Sequence, residues 1–257
     1  MTVIEQPISK TTVDPTEVQQ FDALSDQWWD SHGAFAPLHR FTPVRMQFFR
    51  DRLSDHFKLD RAAAMPLSGL RILDIGCGGG LIAEPMTRLG ADVTAIDAAA
   101  AAIAAAQAHS AAQGLSIDYR CTTAEALLAD GDQFDVVIAS EVIEHVASVD
   151  AFIAAAKGLL GPGGALLMTT INRTTRSLLS AKIAAEYILR WAPVGTHDWH
   201  KFVRPVELKS ALGGHGMRVD NIAGFVFRPL QGDFQISRDC AVNYGCIAVH
   251  TAEATAS

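Results

Sequence analysis

The sequence predicts an α/β protein built on a mostly parallel sheet. Three observations carry that expectation. Short apolar strands alternate with helices from residue 69 onward, a glycine cluster follows the first strand, and an acidic residue closes the second. Strand–helix–strand order dictates right-handed crossovers, and such sheets bind ligands beyond the carboxyl ends of their strands.

The first 16 residues, "MTVIEQPISKTTVDPT", have neither a basic start nor an apolar run. They predict a flexible arm, not a signal peptide or membrane anchor. Residues 17–68 predict a helical cap. Within it "EVQQFDALSDQWWD" and "VRMQFFRDRL" have helical spacing on either side of a break at "SHGAFAPLHRFTP". The domain proper, 69–252, opens with the strand "LRILDIG" and the helix "LIAEPMTRLG", stopped by Gly90. "DVTAID" is the second strand. The Ala-rich "AAAAAIAAAQAHSAAQG" is a helix closed by Gly114, since alanine is the best helix former. "LSIDYRCTT" and "FDVVIAS" are strands three and four, "SVDAFIAAAKGLLG" a helix, and "GALLMTTI" strand five. A helical insertion over 172–204 comes next. The helix "PVELKSALGGHG" and the strands "RVDNIAGFVF" and "AVNYGCIAVHTA" follow it.

A chain of 257 residues with 49% hydrophobic and 19% charged composition can bury a sizeable core. Its net charge of −7 argues against nucleic acid as a partner, because phosphates are held by Lys and Arg. Cys77, Cys121, Cys240 and Cys246 form no C-x-x-C pair, which predicts reduced thiols in a cytoplasmic protein and no zinc site. No stretch approaches the roughly 18 apolar residues of a membrane span.

In "LDIGCGGG" the glycines fall at Gly76, Gly78 and Gly80, whereas the dinucleotide fingerprint needs its third at position 81, here Leu81. No Lys-Ser/Thr follows, which excludes a nucleoside-triphosphate P-loop. Asp97 ends strand two, where a carboxylate can accept both ribose hydroxyls of an adenosine. Together with Asp74 these residues predict nucleoside binding.

The same residues carry a resemblance. "ILDIGCGGG" with Asp97 is similar to the first two motifs of class I S-adenosylmethionine-dependent methyltransferases. That implies a Rossmann-like fold with a seven-stranded, mostly parallel sheet and an antiparallel last strand. "FAPLHRFTPVR" (35–45), "SEVIEHV" (140–146) and "AEYILRWAPVGTHDWHKFVRPVEL" (185–208) narrow the resemblance. Together they resemble the ubiquinone biosynthesis O-methyltransferases, which methylate phenolic hydroxyls of polyprenylated benzene-ring intermediates. The resemblance implies cofactor contacts from Arg45, Gly76, Asp97 and Ser140, and Gly78 joins them as a loop glycine open to close approach. Arg45 suits the role, since a guanidinium can fork onto the carboxylate of the cofactor's methionine portion.

Phenol methylation needs the phenolate. A phenol titrates near 10, so about one molecule in a thousand is ionised at pH 7, a deficit of roughly 4 kcal/mol. "IASEVIEHV" (138–146) offers Glu141, Glu144 and His145 as candidate catalytic residues. His145 is the candidate base by its ordinary pKa. If residues 141–145 form one helical turn, Glu141 and His145 stand i,i+4 on one face. The resemblance implies that these three residues bind Mg²⁺, which would act as a Lewis acid on the substrate oxygens. Base and metal readings share the same side chains. His197 and His200 of "THDWH" order the insertion instead.

Within the insertion Leu179, Ile183, Tyr187 and Trp191 recur every four residues, beside a stripe of Lys182, Glu186 and Arg190. Residues 172–190 hold four basic residues and one acidic, so this stretch is basic in an acidic chain. That predicts contact of 172–191 with an anionic membrane surface, peripherally at the inner face of the cytoplasmic membrane. The pattern equally suits a helix packed on its own domain as an active-site lid. Partners are then a prenylated phenol and other enzymes of ubiquinone synthesis. Three alternatives stand beside this function. One is another small-molecule O-methyltransferase. A nicotinamide-dependent oxidoreductase is disfavoured by the missing third glycine and the lack of a Tyr-x-x-x-Lys pair, and a non-catalytic cofactor-binding scaffold by the acidic cluster.

Overall fold

A computed structural model describes residues 11–179 and 199–251. Its strands are β1 (Arg71–Ile75), β2 (Asp92–Asp97), β3 (Asp118–Cys121) and β4 (Phe134–Ser140). After them come β5 (Leu160–Ile171), β6 (Met217–Arg228), β7 (Asp233–Ser237) and β8 (Asn243–His250). They form one sheet in the order β3-β2-β1-β4-β5-β8-β6-β7. The first five strands are parallel, and β8 enters antiparallel between β5 and β6. The described sheet therefore has eight strands where seven were expected. The extra one, β7, is a short edge strand folded back on β6, with Phe227 opposite Phe234 and Phe225 opposite Ile236.

The described helices are α1 (Pro15–Asp22), α2 (Ala36–Phe57), α3 (Ala83–Arg88), α4 (Ala100–Ala112), α5 (Ala124–Ala129), α6 (Val149–Gly158) and α7 (Pro205–Gly214). The sequence predicted a break before Val44, yet α2 runs unbroken through Pro43. Proline costs a helix one N–H bond and some crowding. Here the buried row Phe41, Val44, Phe48, Phe49 and Leu53 outweighs that cost. Truncating Phe48, 1% exposed, to alanine would cost about 3–5 kcal/mol. The short α5 was not expected; Thr123 caps it by accepting from the Ala126 N–H.

Successive residues of a strand face opposite sides of the sheet. On one side Ile72, Val136, Ile138, Ala165 and Leu167 meet α2. On the other Leu73, Val137, Leu166 and Met168 meet Phe152 and Ile153 of α6 and Leu208 and Leu212 of α7. This division sets which side chains can meet at the ends of the strands.

The arm expected over 1–16 is anchored in its described part. Thr12 donates to Glu125 through both N–H and hydroxyl, its carbonyl accepts from the Ala147 N–H, and Val13 bridges Val146. Of the insertion stripe only Leu179 is described; Lys182, Ile183, Glu186, Tyr187, Arg190, Trp191 and His197 lie outside the described residues. Among the described residues no helix is long and apolar enough to cross a membrane. All four cysteines are free thiols.

Candidate active site

The glycine cluster turns the chain sharply between β1 and α3. Gly76, Gly78 and Gly80 all have positive φ, at 68°, 50° and 90°. A Cβ on Gly78 would lie 2.3 Å from the Trp28 ring, and one on Gly80 would lie 2.4 Å from the Tyr119 hydroxyl oxygen. Only glycine fits both the angle and the space. Asp97 pins this loop: Oδ2 accepts from the Gly78 N–H at 2.9 Å and Oδ1 from the Ala99 N–H at 2.8 Å. Burial pushes its carboxyl pKa up, and these bonds pull it part of the way back. A carboxylate has more acceptor sites than these bonds fill, which leaves Asp97 room to accept from a ligand hydroxyl.

Arg45 projects from α2 onto the same end of the sheet and is 3% exposed. Its Nη1 donates to Ser140 Oγ at 2.8 Å, and its Nη2 donates to Thr42 Oγ1 at 2.8 Å. Burial lowers its pKa, opposed by the charges of Glu141 and Asp74. The Asp74 carboxyl, 2% exposed, is raised to about 7 by burial, with Arg45 pulling it down and Asp97 pushing it up. Arg45 Nε and Asp74 Oδ2 are buried with no hydrogen-bond partner among the described residues. A buried donor and acceptor left open in this way match the carboxylate and ammonium of an amino-acid ligand.

The acidic cluster folds differently from the expected helical turn. Glu141 is left-handed at φ 59°, at a cost of order 1–3 kcal/mol, and a single 3₁₀ turn covers only Ile143–His145. Glu141 and His145 therefore do not share a helical face. Ser140 pairs in register with Thr169, whose hydroxyl donates to Glu141 Oε1 at 2.8 Å on the α2 side. Thr170 faces the α6 side and donates to Glu144 Oε2 at 2.8 Å. His145 Nδ1 meets Glu17 Oε2 at 3.1 Å, while Glu17 Oε1 accepts from Lys201 Nζ at 3.1 Å. The His200 carbonyl accepts from Arg173 Nη1 at 3.0 Å.

Burial raises the Glu141 carboxyl to about 7, helped by the Glu144 charge and opposed by Arg45. Glu144 is also raised, again by burial first. Burial disfavours the His145 imidazolium, yet the Glu17 hydrogen bond and the Glu144 charge outweigh it, so its pKa is raised. Glu17 falls to about 2, chiefly through its bond to His145. Glu17, Lys201, Thr169 and Thr170 were not singled out from the sequence. The signal for the threonines was present, since two hydroxyls close an otherwise apolar strand.

The N-terminal segment closes onto this end of the sheet. Trp28 packs over Gly78 and Gly79 and stacks on Phe35 at 3.8 Å. Trp29 Nε1 donates to the Gly79 carbonyl at 3.0 Å, and Asp22 Oδ1 accepts from the Ala101 N–H at 3.1 Å.

Residues 73–168 match the family described as Methyltransferase domain. The chain is 49% identical over 248 residues to the ubiquinone biosynthesis O-methyltransferase of Azorhizobium caulinodans, covering 95% of this chain and 98% of that one. It is 50% identical over 246 residues to the enzyme of the same name from Chelativorans sp., covering 95% and 97%. Among solved structures it is similar to magnesium protoporphyrin IX methyltransferase from Synechocystis PCC 6803 with bound S-adenosylhomocysteine. That likeness has a TM-score of 0.61 at 20% identity, over 90% of this chain and 94% of that one. A methyltransferase dependent on S-adenosylmethionine from Aquifex aeolicus gives 0.52 at 14% identity, over 91% and 97%.

Proposed function

The chain belongs to the ubiquinone biosynthesis O-methyltransferases, and we propose that it methylates a phenolic hydroxyl with the residues gathered at the carboxyl end of its sheet. It is an enzyme dependent on S-adenosylmethionine. The finer assignments are a catechol-like, polyprenylated substrate and a cofactor site made by Arg45, Gly76, Gly78, Asp97 and Ser140. The cofactor site is supported by the open Arg45 Nε and Asp74 Oδ2 beside a glycine loop pinned by Asp97, and the substrate class by the names of the relatives.

Bound by Arg45, Gly76, Gly78, Asp97 and Ser140, S-adenosylmethionine would supply the methyl group from its sulfonium. Arg45 would orient its methionine portion, and Asp97 would accept from its ribose. His145 takes the phenol proton, and Glu17 holds the imidazolium that forms, the base-and-orienter pairing of acid–base sites. Glu141 and Glu144 fix the charge around it. Positioning of oxygen against methyl supplies the rest of the rate.

Magnesium on Glu141, Glu144 and His145 does not fit these side chains as they stand. Glu141 bonds Thr169 on one side of the sheet, Glu144 bonds Thr170 on the other, and His145 Nδ1 is engaged by Glu17. Among the described residues no three His, Cys, Asp or Glu side chains are grouped to hold a metal ion. No step is assigned to it.

Peripheral contact with an anionic membrane through 172–191, and with other enzymes of the pathway, belongs to the same proposal. It is supported by the basic surplus of that stretch and by Leu179, 57% exposed at its described edge.

The single observation that carries the catalytic reading is the bonded series Arg45–Ser140–Thr169–Glu141, which joins the cofactor end to the acidic cluster. Turnover of a soluble short-chain catechol with S-adenosylmethionine tests it. Stoichiometric methyl ether and S-adenosylhomocysteine are expected. Cofactor binding without product would leave a scaffold, and NADH binding in its place an oxidoreductase.

A further inference from the structure

We propose that Thr169 is a positioning residue for methyl transfer, fixing the Glu141 carboxylate and joining it through Ser140 to Arg45. The inference rests on the reading that Glu141 takes part in the reaction, and it adds the residue that holds Glu141 in place.

Thr169 is fully buried near the end of β5, following Ala165, Leu166, Leu167 and Met168, which are buried as well. Valine has the same shape and would suit that strand better, because a buried hydroxyl must find partners. This one has two. Its oxygen is 2.8 Å from Ser140 Oγ and 2.8 Å from Glu141 Oε1.

The direction of the series follows from the inventory of protons. An ionised Glu141 only accepts, so the one Thr169 proton points to it. Thr169 then accepts from Ser140, and Ser140 accepts from Arg45 Nη1 at 2.8 Å. With Glu141 ionised, the four groups share a single order running from the arginine to the carboxylate. Thr169 also holds Glu141 by the backbone, since its carbonyl accepts from the Glu141 N–H at 2.9 Å. That second bond supports the left-handed φ of 59°, which aims the carboxylate back across β5. The Arg45 charge thus reaches Glu141 through two hydroxyls without a direct ion pair.

The test compares Thr169→Val, Thr169→Ser, Glu141→Gln and the Thr169→Val/Glu141→Gln double variant in the full chain. The probe is a soluble short-chain catechol with S-adenosylmethionine at one fixed Mg²⁺ concentration. Thr169→Val is expected to lower kcat roughly 10- to 100-fold while catechol KM and S-adenosylhomocysteine affinity stay within about threefold. Thr169→Ser, which keeps the hydroxyl, should recover kcat to within about threefold. The double variant should be no slower than Glu141→Gln, as two parts of one unit are not additive. Thermal unfolding confirms that each variant is folded at the assay temperature, with Thr169→Ala read in place of a Thr169→Val that is not.

Impaired Glu141→Gln beside wild-type kcat in Thr169→Val overturns the positioning role alone. Full activity in Glu141→Gln removes Glu141 from the reaction and the proposal with it. Equal losses in the Val and Ser variants, or a loss of cofactor affinity at unchanged kcat, make Thr169 a packing or cofactor residue and also overturn it.

Discussion

Trp29 lies flat against His109, their ring centroids 3.4 Å apart and 7° from parallel. The same indole donates to the Gly79 carbonyl, and His109 Nδ1 meets the fully buried Glu84 at 2.6 Å. One side chain of the N-terminal segment therefore ties the glycine loop to α4, and through His109 to α3.

That contact predicts slow cofactor release. The ring pair contributes about 0.5–1.5 kcal/mol and the indole hydrogen bond a similar amount. Trp29→Ala should weaken S-adenosylhomocysteine binding roughly 5- to 150-fold, mainly by faster dissociation. Stopped-flow displacement measures it, and an unchanged dissociation rate would show that the segment does not cover the site.

Asp97 is expected to support affinity in two ways, by holding the loop and by accepting from the ribose. Asp97→Asn keeps the shape but places an amide N–H₂ against the N–H of Gly78 or Ala99. Losing a hydrogen bond to a charged group costs about 1.5–3 kcal/mol, or roughly 10- to 150-fold in affinity. Calorimetric titration with S-adenosylhomocysteine reads it directly. Wild-type affinity would take Asp97 out of the site.

Local chemistry made the frame legible. A glycine run after an apolar strand and an acid closing the next one are adjacent-residue facts, and both stand where the sequence placed them. What escaped was non-local. Which threonine meets which carboxylate depends on the register that sets Ser140 beside Thr169. Glu17 and His145 are 128 positions apart, and nothing near Glu17 announces an imidazole. The acidic cluster misled for a third reason. Its spacing suits a helix, but a left-handed Glu141 breaks the turn before it starts.

Magnesium binding should be weak without substrate. A Kd of about 1 mM corresponds to about −4.1 kcal/mol. The Thr169 and Thr170 bonds hold Glu141 and Glu144 toward opposite faces of the sheet, so an ion would have to draw the two carboxylates together at the cost of their present geometry. Titration of Mg²⁺ into protein saturated with S-adenosylhomocysteine should reveal no site tighter than about 1 mM. A tight site abolished by Glu141→Ala would show that the carboxylates leave Thr169 and Thr170 for a metal.

The Glu17–His145 pair predicts the acid limb of the pH–rate profile. A base must be neutral to accept the phenol proton, and His145 is held above its ordinary 6.5. The kcat should therefore fall as pH drops through a value above 6.5. Glu17→Gln removes the charge that most favours the imidazolium, so the limb should move to lower pH, by about one unit for each 1.36 kcal/mol lost. Stability gives an independent readout with a worked sign. The depressed Glu17 contributes fully above its unfolded value of 4.5 and loses that contribution as pH falls toward about 2. The raised His145 contributes fully below 6.5 and loses that contribution as pH climbs through its folded value. The Tm difference between wild type and Glu17→Gln should therefore be widest between about 4.5 and 6.5 and shrink on both sides. An acid limb unmoved by Glu17→Gln, with the Tm difference behaving as described, would leave the pair as a structural tie and remove His145 as the base.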